Sequence, residues 1–217
     1  DEFQQITEYP EKGVEALLRS HIQFMPNVHF IFSGSKKHVM EEMFTSAKRP
    51  FYQSTQIIVL TEIPLENYYS FAHSFFAKEK RELTLETFSY LYQLENGHTW
   101  YVQSILNRLY EKKINPIDNR LVDRCINDIL DEQETIYQSN LTLLTNNQVD
   151  LLKAIATEGC IKNINANDFI KKHHLKTPSS VNVALKSLLN KELIYNTPDG
   201  YIVYDRFFGK WLKDAVI

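Results

Sequence analysis

The sequence is poor in the features that mark secreted, membrane-spanning or metal-stapled proteins. It has only two cysteines, Cys125 and Cys160, far apart and outside any C-x-x-C pattern. That excludes a disulfide framework and a cysteine zinc site, and fits a reducing cytoplasm. The longest apolar runs, Val28–Phe32 and Ile57–Leu60, are far too short to span a bilayer. Asp1-Glu2 opens the chain with no basic or apolar leader. Internal repeats and low-complexity segments are absent, as are an H-E-x-x-H pair, a nucleophile elbow and a Ser/His/Asp set. His173 and His174 are adjacent on an expected helix and point apart, which argues against a shared metal.

What is present is enough for a real core: 217 residues, 43% of them hydrophobic and 24% charged, forming one or two compact units. The net charge of −3 is uneven. From Asn146 onward 10 Lys and Arg face 7 Asp and Glu, a charge of +3; before it 14 face 20, a charge of −6. A mildly basic tail on an acidic body points to anionic partners for the tail.

Three stretches differ in pattern. In the first, residues 1–63, Val14, Leu17, Leu18, His21 and Ile22 recur at helical spacing, and Val28–Phe32 reads as a strand stopped by Ser33-Gly34-Ser35. A helix over Lys36–Ser46 and a strand over Ile57–Leu60 follow. Strands this continuous in hydrophobicity, alternating with helices, predict a parallel sheet covered on both faces.

The second stretch, 64–143, reads as all-helical. Leu65, Tyr68, Tyr69, Ala72, Phe75 and Phe76 form a stripe, and Thr84 caps a helix that Asn96-Gly97 ends. Trp100–Tyr110 and Asp118–Ser139 supply two more helices, which suits a small bundle. Trp100 and Tyr101 read as core residues rather than as a surface for stacking bases, and His98 as a surface residue.

In the third, 144–217, a helix closes at Glu158-Gly159, a short one covers Ala166–His173, and Thr177-Pro178 starts a third. Leu193–Asn196 and Tyr201–Tyr204 flank the turn Thr197-Pro198-Asp199-Gly200. Three helices and a hairpin are the order of a winged helix. Its third helix would expose Ser179, Asn182 and Lys186, with Lys176 just before it, in position to contact double-stranded DNA. Asp199 puts an acid at the wing tip, and a protein is the other partner open to this module.

Chemistry concentrates at the start. An acidic pair at the end of a strand is the Walker B arrangement, and a helix and an apolar strand with a small polar end follow here, where Ser33 and Ser35 are placed for a sensor role unless Ser33-Gly34-Ser35 merely turns the chain. Asp1–Gln5, Phe30–Ser35, Arg49-Pro50-Phe51-Tyr52, Gly97–Gln103 and the terminal winged helix occur here in one order. That order resembles the archaeal-type P-loop ATPases, a prokaryotic family close to the AAA+ and signal-transducing (STAND) ATPases, over essentially the whole chain. The resemblance implies an α/β remnant of a P-loop domain, then a helical lid, then the winged helix, mostly helical overall. It implies Asp1 as the magnesium-site carboxylate, Glu2 as the catalytic carboxylate, Ser33 or Ser35 as sensor, and ATP with Mg²⁺ as cofactor. Arg49 falls where a cation would meet the γ-phosphate. The commoner pattern has a Gly-Arg pair where this chain has Gln53-Ser54, so a surface role for Arg49 stays open.

No window matches G-x-x-x-x-G-K-[ST]; Gly209-Lys210 lacks both the earlier glycine and the following Ser or Thr. The chain is therefore expected to be a fragment that by itself neither binds ATP tightly nor hydrolyses it. The alternatives are a winged-helix DNA-binding regulator and a degenerate ATPase scaffold kept for protein contacts.

Overall fold

The computed structural model describes residues 1–34 and 36–214, without the side chains of Lys37 and His38. The chain divides into two compact units, Asp1–Thr61 and Glu62–Ile217.

The first unit holds a 3-10 helix over Phe3–Glu8, α1 over Val14–Ile22 and α2 over Lys37–Thr45. Its core is small and aromatic. Phe3, Met43, Phe44 and Phe51 are buried, with Phe32 packed against them. Phe3 lies 4.3 Å from Phe32 and 5.5 Å edge-on to Phe51, ring centre to ring centre. These arrangements suit the ring quadrupoles and add to the area buried.

The two runs expected to form a covered parallel sheet take no regular secondary structure and join no sheet among the described residues. A strand exists through its ladder partner, and parallel neighbours require a crossover between them. Among the described residues, Val28 N–H closes a turn on Met25 O at 3.1 Å, and Phe3 N–H reaches Ser33 O, just past the first run, at 2.9 Å. Phe32 packs on the aromatic core, but most of the other apolar side chains of the two runs stay outside: Ile31 is 92% exposed and Leu60 90%. The pattern of a buried strand is present without the layer that would bury it.

The second unit is helical up to its hairpin. It comprises α3 (Leu65–Lys78), α4 (Leu85–Leu94), α5 (Thr99–Lys112), α6 (Asn119–Thr142), α7 (Asn146–Glu158), α8 (Asn167–Lys172), α9 (Pro178–Asn190), β1 (Ile194–Thr197), β2 (Gly200–Val203) and α10 (Arg206–Asp214). The helix starts obey their caps. The Thr84 and Asp118 side chains accept from the backbone N–H groups of Thr87 and Leu121. Thr145 with Gln148, and Thr177 with Ser180, form capping boxes, the second followed by Pro178 at the first helical position.

β1 and β2 pair antiparallel, Ile194 opposite Val203 and Thr197 opposite Gly200, and Ile161 adds a bridge to Tyr201. Gly200 is required at its position. Its φ is +141°, and a Cβ there would meet the Ile161 carbonyl oxygen at 2.5 Å. With α7, α8 and α9 this completes the expected winged helix.

Beyond the wing, α10 was not anticipated. It buries Phe207, Phe208 and Leu212 and packs on α6, α7 and β2. Tyr137 of α6 lies 4.9 Å from Phe208 and 5.6 Å from Trp211, ring to ring, so α10 ties the bundle to the wing. Within the described residues no helix is long and apolar enough to cross a membrane.

Candidate functional site

The start of the chain and the end of the first extended run meet. Ser33 Oγ donates to Asp1 Oδ1 at 2.7 Å, and Glu2 N–H donates to the same oxygen at 3.0 Å. Asp1, Glu2 and Ser33 are all exposed. The aromatic pair Phe3–Phe32, next in sequence to Glu2 and Ser33, holds the two segments together beneath them. Glu2 takes a left-handed backbone, φ 49° and ψ 40°. For a non-glycine residue that costs roughly 1–2 kcal/mol, a strain often found at working sites. Its carboxylate accepts from Gln4 Nε2 at 2.6 Å.

Gly34 completes the corner. A Cβ on it would lie 2.1 Å from Gln4 Oε1 and 2.8 Å from Met40 Sδ, so a larger residue would have to push the ends of those two flexible side chains aside. Ser35, the other expected sensor, lies outside the described residues.

Arg49 is held elsewhere. Its guanidinium is 3.4 Å from Glu15 Oε2 and 3.9 Å from Glu42 Oε1, with its side chain three-quarters covered. Glu15 is 9% exposed. Burial pushes its carboxyl above the usual carboxylate range; Arg49 pulls it down and Glu42 pushes it up. This cluster ties the turn after α2 to α1. The structure thus brings Asp1, Glu2 and Ser33 together and gives Arg49 a partner set that the sequence did not reveal.

At the expected lid, Tyr101 is buried but Trp100 is 60% exposed, against the expectation of two core residues. Helical spacing explains the split: Trp100 shares its face with the exposed Gln103, Asn107 and Glu111. His98 is held below its usual pKa by burial first and then by Arg206.

The candidate DNA-contacting residues Lys176, Ser179, Asn182 and Lys186 are all exposed. The last three share one face of α9 with Val183, which is 70% exposed. Asn182 Oδ1 accepts from Asn165 Nδ2 at 3.0 Å, which fixes its carboxamide. From Lys176 to Lys191 the sequence has no acidic residue. Nearby, Glu158 binds Lys172 and His173, each at 2.7 Å, and those two bonds, Lys172 first, hold its carboxyl below the usual range.

Among the described residues, no cluster of three or more His, Cys, Asp or Glu could hold a metal ion. An open groove of about 220 Å³ in the first unit is lined by Arg19, Phe30, Phe32 and their neighbours, with none of the candidate site residues.

Against known proteins, a family model described as "probable winged helix domain" matches residues 135–214, from within α6 through α10. Among solved structures the chain is similar to a Walker-type ATPase of Pyrococcus abyssi, with a TM-score of 0.63 and 18% identity. That likeness covers 98% of this chain and 61% of the other, so the chain spans about three fifths of that ATPase's length. At such identity the likeness concerns the fold. No curated protein sequence matches. The chain is thus mostly helical, carries a winged helix, and has a fold like part of a Walker-type ATPase.

Proposed function

We propose that this chain is the Walker B-to-winged-helix part of a P-loop ATPase that couples ATP binding and hydrolysis to its winged helix. The observation that carries the reading is the Asp1–Ser33 hydrogen bond, which sets a carboxylate and a hydroxyl side by side next to a second carboxylate. These are hard oxygen donors of the type magnesium takes, and a single protein carboxylate is the usual share when nucleotide oxygens fill other positions. Magnesium nucleotide would supply the phosphoryl group and the charge that the site neutralises. Asp1 would hold the metal, Ser33 would orient Asp1 and sense the γ-phosphate, and Glu2 would orient the attacking water. Arg49, paired with Glu15 and Glu42, serves in this reading to brace α1 against the turn after α2.

The phosphate-binding loop is not among these residues and would come from another segment. The test is hydrolysis by the longest natural form that carries such a loop, compared with its Glu2→Gln variant. Hydrolysis is expected to fall by about 10²-fold or more while magnesium-dependent ATP binding persists. Unchanged turnover in the variant, or no phosphate-binding loop in the complete gene product, would sink the reading.

A second reading concerns the output. The acid-free stretch from Lys176 to Lys191 favours double-stranded DNA as the partner of α9, with Asn182 held against a base edge by Asn165. Removing Lys176 or Lys186 is expected to lower the slope of log affinity against log salt by about one each. Duplex binding that ignores salt, or no binding at all, would leave the face to a protein partner.

A further inference from the structure

Within the second unit, one buried charge has no role in the nucleotide reading. Glu95 follows the last residue of α4 and is fully buried. Lys210 Nζ of α10 stands 3.4 Å from its Oε1, and neither carboxylate oxygen has a well-aligned hydrogen bond among the described residues. Its backbone carbonyl accepts from Arg206 Nη1 at 2.6 Å. Burial pushes the Glu95 carboxyl up; Lys210 and then Arg206 pull it part of the way back.

A second clasp lies one turn away. Tyr101 at the start of α5 accepts from Arg206 N–H at 3.0 Å, and its hydroxyl lies 3.4 Å from Asp205 Oδ1. That same oxygen caps α10 by accepting from the N–H groups of Phe207 and Phe208. Burial pushes the Tyr101 phenol up to about 12, so it stays protonated and able to donate. The segment between the two clasps turns tightly, with Asn96 at φ 44° and Gly97 at φ 68°.

We propose that Glu95, Lys210 and Arg206, with Tyr101, form a releasable ionic latch between the α4–α5 loop and α10, so that moving the loop moves the winged helix. Glu95 is fully buried while the Lys210 side chain is 29% exposed, so the pair contributes little net stability: desolvating the carboxylate offsets much of the attraction. Its effect is to make the joint two-state. Leaving one charge buried alone is costly, so both ends let go together. An open groove of about 280 Å³ beside the pair is lined by Lys210, Lys213, Asp123 and Asp214, which gives the released ammonium room and two carboxylates to face alongside Lys213. α10 packs on α7 and β2, so its position sets that of the wing. The latch rests on contacts within one compact unit and stands whether or not the nucleotide reading does.

Amide hydrogen exchange on the 217-residue chain tests it, with Lys210→Met, Glu95→Gln and the double variant. Lys210→Met is expected to speed exchange at least about tenfold in residues 95–101 and 205–213 together. The double variant, which leaves no buried charge alone, is expected to return both segments to within about threefold of the parent. Faster exchange in only one segment, or none, would overturn the latch. Should Lys210→Met unfold the whole unit, the double variant decides: parent-like protection supports the latch, and continued unfolding refutes it.

Discussion

Replacing Arg81 by alanine is expected to destabilise the Glu62–Ile217 unit by about 3 kcal/mol or more, since it withdraws a charged donor from several buried acceptors, each costing about 1–3 kcal/mol when left unpaired. Arg81 is 7% exposed. Its Nη2 donates to the carbonyls of Leu109 and Ile114, both at 2.9 Å, and its Nη1 to Tyr110 O at 3.0 Å. Its Nε reaches Asn115 Oδ1 at 3.4 Å, and the guanidinium sits 5.2 Å from the centre of the Phe76 ring. Leu109 and Tyr110 lie in the last turn of α5, where carbonyls have no partner within the helix and the dipole end is negative. One planar fork therefore serves three carbonyls and a carboxamide. Lysine offers a single point of donation, so Arg81→Lys should recover only a minor part of the loss. Urea melts of the parent and both variants measure this. A change under about 1 kcal/mol for the alanine variant would mean that water or neighbouring groups replace the fork without penalty.

The second large effect is expected in the other unit. Phe51→Ala should cost about 3–5 kcal/mol, in a unit whose buried apolar set is Phe3, Met43, Phe44 and Phe51. A core that small has no reserve, so residues 1–61 should lose protection as a block while 62–214 keep theirs. Phe3 and Phe32 each meet Phe51 edge-on at 5.5 Å and sit beside Glu2 and Ser33, so the Asp1–Ser33 contact should be lost with it. Limited proteolysis followed by mass spectrometry separates the outcomes. Cleavage confined to the first unit is the expected result; cleavage rates equal to the parent's would show that the unit tolerates the cavity.

The parts of this fold that local chemistry dictates could be read from the sequence. The Thr84 and Thr177 caps, Pro178 at a first helical position and the Thr197–Gly200 turn each lie where residue type predicts. α10 is not part of the winged-helix order read from the sequence, although Phe207, Phe208, Trp211 and Leu212 recur at helical spacing. The strands failed for a different reason. Val28–Phe32 and Ile57–Leu60 have the composition of buried strands, but pairing is decided by neighbours that composition does not contain.

The candidate site divides along the same line. Asp1 and Ser33 could be expected together because a strand end and its neighbour are adjacent by topology, and the structure joins them. Arg49's engagement with Glu15 and Glu42 depends on how α1 packs, which no motif encodes. Likewise the burial of Glu95 beneath Lys210 joins residues 115 positions apart, a distance across which side-chain spacing carries no signal.

The two bare apolar runs also govern how such a chain behaves at high concentration. Ile57, Ile58, Val59 and Leu60 form a β-prone stretch without charge or proline, 50%, 75%, 62% and 90% exposed in turn. An exposed segment of this composition is a template for β-pairing between copies of itself, and self-association through it grows with concentration. A lysine at position 58 or 60 would act as a gatekeeper there without touching the aromatic cluster or the Asp1–Ser33 corner.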